Sequence, residues 1–114
     1  MKNFIQPGNV LTVTAPAGGV ESGAGLLVGS LFGIANGNAA EGEDVELSLT
    51  GIYELPKVSA QAWTQGAKLY WDNATKLVTT AAAAGANALI GVAAKAAANP
   101  SATGEVRLSA GFTI

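Results

Sequence analysis

Apolar and polar residues alternate most cleanly from Asp44 to Thr50. Val45, Leu47 and Leu49 take one side there, and Glu46, Ser48 and Thr50 the other. A period of two predicts a half-buried strand. Shorter runs of apolar and β-branched residues predict further strands at Val10–Thr14, Ile52–Leu55, Lys68–Trp71, Lys76–Thr79, Leu89–Ala93 and Glu105–Ser109. Two more runs lie between Leu26 and Ala35 and break at Gly29-Ser30, where a hairpin or bend is expected. Gly51 shifts the phase after Thr50, which predicts a bulge that turns the chain from one sheet to the next. Pro56 ends the strand that follows, and Asp72-Asn73 is hairpin-turn chemistry. Ala15–Gly25 reads as a loop with a short strand at Val20, and Asn36–Gly42 and Ala81–Ala88 as further loops. Lys57–Gln65 is ambiguous, with a helical turn at Ala60–Trp63 as one reading. Ala94–Ala98 has alanine's helix propensity, but Pro100 stops any helix early, so strand followed by loop is expected.

The strands recur in the same order. Leu31-Phe32-Gly33-Ile34-Ala35 is echoed by Leu89-Ile90-Gly91-Val92-Ala93. Gly23-Ala24-Gly25-Leu26 precedes the first and Gly66-Ala67-Lys68-Leu69 the second. Asp44-Val45-Glu46-Leu47-Ser48 follows the first and Glu105-Val106-Arg107-Leu108-Ser109 the second. This reads as two quasi-equivalent halves of one β structure; a solenoid needs three or more units to bury a core. Chance likeness among such common residues is the competing account. In each pentapeptide the glycine sits mid-strand, a position that marks a bend or the close approach of another segment. The expected fold is all-β: a small β-barrel or jelly-roll-like sandwich of two quasi-repeated halves. Residues 1–8 form an N-terminal arm and 9–114 a single domain.

The chain's 114 residues suffice for one core without staples. With no cysteine and no histidine, disulfides, thiolate chemistry, the usual general base and the usual zinc ligand are excluded. Six Lys+Arg against eight Asp+Glu give a net charge of −2 and no basic stripe, so no nucleic-acid partner is expected. No stretch resembles a signal peptide or a membrane span, and a soluble product without a membrane partner is expected.

Candidate chemistry is sparse. Glu41, Glu43, Asp44 and Glu46 cluster but lack the alternating oxygens and central glycine of a calcium loop. Gly18-Gly19 and Gly23-Ala24-Gly25 lack the Gly-Lys-Ser/Thr ending of a phosphate cradle. The serines have no histidine to activate them, and Glu54 with Asp72 has no supporting spacing as a glycosidase pair. No catalytic residue, metal ligand or cofactor is expected. Among the aromatics, Trp63 is either an interface residue or packed under a loop. Tyr70 and Trp71 must face opposite ways on a strand, so one of them is available at a surface or interface.

Asn3-Phe4-Ile5-Gln6-Pro7-Gly8-Asn9-Val10-Leu11-Thr12, Ala15-Pro16-Ala17-Gly18-Gly19-Val20 and Leu27 to Ala35 come in an order that resembles the capsid cement (decoration) proteins of tailed bacteriophages. Gly51 to Lys57, Gly66 to Asp72, Leu89 to Ala93 and Val106 to Leu108 continue the likeness along nearly the whole chain. The resemblance implies a non-enzymatic protein on the outer surface of the virion head, made in the host cytoplasm, that bridges neighbouring major capsid subunits. It implies no catalytic residues. A homo-oligomer, dimer or trimer, is expected. The candidate contact residues are Lys2, Asn3, Phe4, Ile5 and Gln6 of the arm, with Trp63 and Trp71. Phe4 and Ile5 either add a strand to a neighbour's open edge or pair within their own barrel. A carbohydrate- or receptor-binding β module of a phage particle is the alternative function.

Overall fold

In the computed structural model, residues 3, 5, 6 and 8–108 are described. The strands are β1 (Val10–Thr14), β2 (Gly25–Val28), β3 (Leu31–Ala35), β4 (Asp44–Ser48), β5 (Ile52–Pro56), β6 (Lys68–Asp72), β7 (Leu77–Thr79), β8 (Ala88–Ala93) and β9 (Thr103–Leu108). They form two antiparallel sheets, ordered β1-β4-β3-β2 and β5-β9-β8-β6-β7. The sheets curl into a compact sandwich of half-barrel character. Gly29, at φ 59°, supports the tight β2–β3 turn. The Ala60–Trp63 segment is not helical: Gln61 N donates to Val58 O to close a turn, and Trp63 forms an isolated bridge with Ala97. Ala81–Ala88 contains one short 3-10 turn at Ala83–Gly85.

The duplication read from the sequence is present strand for strand, but its last segment matches two residues away from the sequence echo: Leu47 answers Val106 and Val45 answers Gly104, where the sequence paired Leu47 with Leu108 and Val45 with Val106. β1, β2, β3 and β4 of the first sheet answer β5, β6, β8 and β9 of the second, in the same spatial order. The registers agree as well. Leu11 faces Leu47 as Tyr53 faces Val106, and Ala35 faces Leu47 as Ala93 faces Val106. Loop hydrogen bonds repeat too. Ala35 N donates to Ala24 O (3.0 Å) and Ala93 N to Ala67 O (2.9 Å); Leu49 N donates to Asn9 O (2.8 Å) and Leu108 N to Gly51 O (3.0 Å). Thr50 and Gly51 carry the chain from the first sheet to the second. Gly51 adopts φ 115°, a conformation glycine tolerates without strain, and the Tyr53 hydroxyl donates to Thr50 O at 2.9 Å.

Each sheet buries its concave face. Leu26, Ala35, Val45, Leu47 and Leu49 form the first cluster. Leu55, Trp63, Leu69, Ala93, Val106 and Leu108 belong to the second, which also takes in Trp71, Val78 and Ile90 together with Phe32 and Ile34 from β3. β3 therefore feeds both clusters, its alternate residues pointing to opposite sides. Phe32 meets Trp71 with ring centroids 5.0 Å apart and planes tilted by 52°, an arrangement worth about 0.5–1.5 kcal/mol beyond the area it buries.

The mid-strand glycines serve a common contact. A Cβ on Gly91 would lie 2.1 Å from Arg107 O, and one on Gly33 would lie 2.9 Å from Ser48 O. Ser48 and Arg107 are matching positions in the two ladders, each opposite the residue that follows the glycine. A second matched pair shows how the halves differ. Val20 and Val45 of the first half correspond to Trp63 and Gly104 of the second, since Val20 bridges Ala39 as Trp63 bridges Ala97. A Cβ on Gly104 would stand 2.3 Å from the Trp63 ring, so one indole over a glycine fills the place of two valines.

Two tests follow from this packing. Gly91→Ala is expected to cost about 3 kcal/mol or to prevent folding, whereas Gly37→Ala, with nothing within 4 Å, stays within about 0.5 kcal/mol in urea denaturation. Gly104→Val and Trp63→Val should each destabilise by about 3 kcal/mol, through overpacking and a cavity respectively. The double variant restores the first half's pairing and should fall short of the summed cost by more than about 1 kcal/mol.

Candidate partner-binding surface

The surface is set by which strands end the sheets. β1 and β5 are matching terminal strands, and β2 and β7 terminate the opposite sides. A terminal strand leaves unpaired N–H and C=O groups along one side. Exposed large apolar side chains lie on these edge strands: Val10 and Leu11 on β1, Val28 on β2, and Ile52 on β5; Ile5, ahead of β1 in sequence, is 87% exposed. Val10 and Ile52 hold the same place in the two halves, Val10 opposite Ser48 and Ile52 opposite Arg107. The molecule thus presents two edges that are alike at their starts, each with an aliphatic side chain there; past the end of β5, Lys57 bridges Val78 of β7.

Of the candidate contact residues, Asn3, Ile5 and Gln6 are exposed. Lys2 and Phe4 lie outside the described residues. Trp63 and Trp71 are each only 2% exposed, so in this structure neither ring offers area to a partner. Trp71 packs on Phe32, and its Nε1 donates to Asn73 Oδ1 at 3.1 Å; its neighbour Tyr70 is the half-exposed member of the pair. Trp63 lies beneath the loops, with Nε1 buried and without an acceptor. Lys57 is buried beside it, 3% exposed. Its Nζ donates to Val58 O (2.9 Å), Gln61 O and Ser101 O (3.4 Å) and stands 5.6 Å from the centroid of the Trp63 ring. Three carbonyls and a π-face replace the water that the ammonium loses. The matching residue of the first half is Ala15, which makes the same backbone bond: Ala15 N to Glu43 O, against Lys57 N to Ala102 O.

The acidic cluster has structural work at its turns. Glu43 Oε1 accepts from Ala40 N (2.9 Å) and Glu41 Oε1 from Gly18 N (3.3 Å). Among the described residues no group of three or more acidic, histidine or cysteine side chains is arranged to hold a metal ion. A cleft of about 740 Å³ opens between the 16–21 and 38–43 loops, floored by Gly25 and Leu26 and reached by Trp71 and Lys76. Sequence reasoning did not single out Val10, Leu11, Val28 or Ile52. Their exposure follows from which strands lie outermost, and hydropathy alone carries no signal of that.

No curated protein and no solved structure matches the chain. Residues 5–108 match the family described as phage cement protein. That match spans both sheets and both of the like edges, and by it the chain belongs to the phage cement protein family, structural proteins of the phage capsid.

Proposed function

We propose that the protein binds the outer surface of a tailed-phage head across neighbouring major capsid subunits and holds them together without catalysing a reaction. One observation carries the reading beyond family membership: the two like edges, β1 with Val10 and β5 with Ile52, on one small body. A shell is built from many copies of one subunit, and two similar docking edges suit a clamp that grips two similar surfaces. Each contact need be only modest. A specific interface buries on the order of 800 Å² per partner, and engaging two linked subunits multiplies the affinity. Parting the subunits then requires breaking the clamp's contacts as well as their own.

The leading segment Lys2–Gln6 supplies a third contact, reaching a neighbouring molecule on the shell. Exposed Ile5 gives that contact its apolar component. A glycan-binding module is less well supported, because the two tryptophans that would build a sugar platform are buried.

Co-sedimentation with heads stripped of this protein tests the reading. Val10→Asp and Ile52→Asp should each weaken retention at least about 10-fold through lost avidity, and together abolish it. Removing residues 1–6 should also abolish retention while circular dichroism stays unchanged. Full retention by the double Asp variant would refute the two-edge clamp, and full retention by the truncated chain would refute the role of the leading segment.

A further inference from the structure

The halves match row for row, and one matched row differs in what covers it. Across the first sheet Val10, Ser48, Ile34 and Gly25 stand side by side on neighbouring strands. Across the second sheet the same places are held by Ile52, Arg107, Val92 and Lys68. Directly opposed residues share a face of the sheet, so each row lies on one surface. Over Ile34 and Gly25 that surface of the first half is covered by the second half. Ile34 is 4% exposed and belongs to the cluster of Leu55, Leu69 and Val106, and a Cβ on Gly25 would stand 3.0 Å from Trp71 Cη2. On the second half the surface is open. Ile52 is 58% exposed, Arg107 and Lys68 are exposed, and Val92 is half-buried. Tyr70 and Leu89, opposed in the next row, are half-buried as well.

The residues exchanged between the rows decide what fits the open face. Arg107 stands where the first half has Ser48, and Lys68 where it has Gly25. An apolar cover such as Trp71 would strip water from both cations and offer them no partner. A fitting cover brings carboxylates to Arg107 and Lys68, and apolar surface to Ile52, Val92, Tyr70 and Leu89. Arginine and tyrosine are enriched where interfaces are strongest, and the guanidinium fork takes a carboxylate through two parallel hydrogen bonds. Glu54 and Glu105 oppose each other in the row on the other side. Their like charge repels an incoming acid, which directs it toward Lys68 and Tyr70.

We propose that this outer face of the second sheet docks an acidic surface of a major capsid subunit. The inference rests on the proposed function and deepens it. The face is continuous with Ile52 on the β5 edge, so it enlarges that contact, and it names the partner's chemistry: aspartate or glutamate side chains around an apolar centre.

The test uses the full chain and heads stripped of it. Arg107→Glu and Lys68→Glu should each lower retention at least about 10-fold, and the double variant should abolish it, with circular dichroism unchanged. Lys76→Glu makes the same charge change in the turn between β6 and β7 and should stay within about twofold of wild type. Carbodiimide joins an amine to a carboxylate in contact with it. On decorated heads it should link Lys68 to an aspartate or glutamate of the capsid subunit, read by mass spectrometry of the joined peptides. Links from Lys68 only to carboxylates of this chain, in its own or a second copy, would overturn the proposal. Full retention of the double reversal, beside loss with Val10→Asp and Ile52→Asp, would refute this face alone. Heads that fail to retain the wild type would refute the clamp and the face together.

Discussion

The fold depends on a close approach between backbones in the middle of each sheet. In a flat sheet a side chain stands clear of its neighbours' carbonyls. At Gly91 the direction a side chain would take points instead at Arg107 O, and at Gly33 it points at Ser48 O. The adjoining strand has curled over the glycine, and that curl lets four strands wrap a core as small as Leu26, Ala35, Val45, Leu47 and Leu49. A flatter sheet would leave these residues half-covered, and the roughly 1.5–3 kcal/mol that each large one contributes on burial would be lost in proportion. Because the approach occurs at matching positions, the same solution holds both halves together.

Much of this was legible in the sequence because it is written in period and punctuation. Val45, Leu47 and Leu49 alternate with polar residues, and all three are buried. Gly51 breaks that phase at the point where the chain changes sheets. The Leu-x-Gly-x-Ala pentapeptides mark equivalent strands because a glycine is required wherever the backbone approach recurs. The tryptophans were less legible. Trp63 sits in a polar stretch, and its burial depends on Gly104, far along the chain, lacking a side chain. The exposed aliphatics were missed for a related reason. Val10 and Ile52 look like core residues in sequence and become surface only through the order of strands.

Between the halves, the inner positions have diverged in pairs. A valine pair in one is a tryptophan over a glycine in the other, and Ala15 in one is Lys57 in the other. The second exchange puts an ammonium where a methyl group sits. It is sustained because the Lys57 loop turns carbonyls of Val58, Gln61 and Ser101 toward it and because the adjacent indole presents its face. The larger Trp63 and the longer Lys57 fill space beneath the second half's loops. No equivalent bulk lies beneath the 16–21 loop of the first half, and the cleft opens there.

That difference gives the duplication a direction. The second half is complete: β7 lies along β6 and ties back to Val58 and Gln61. The first half has the same four-strand plan and stops one strand short. A chain built of two identical closed halves would present the same surface twice. With one half closed and the other open, the terminal strands β1 and β5 remain alike while the opposite sides differ. Likeness on one side suits repeated contact with a repeating shell. The unlikeness on the other follows from whether a single three-residue strand lies between β6 and β8 or is missing between β2 and β3.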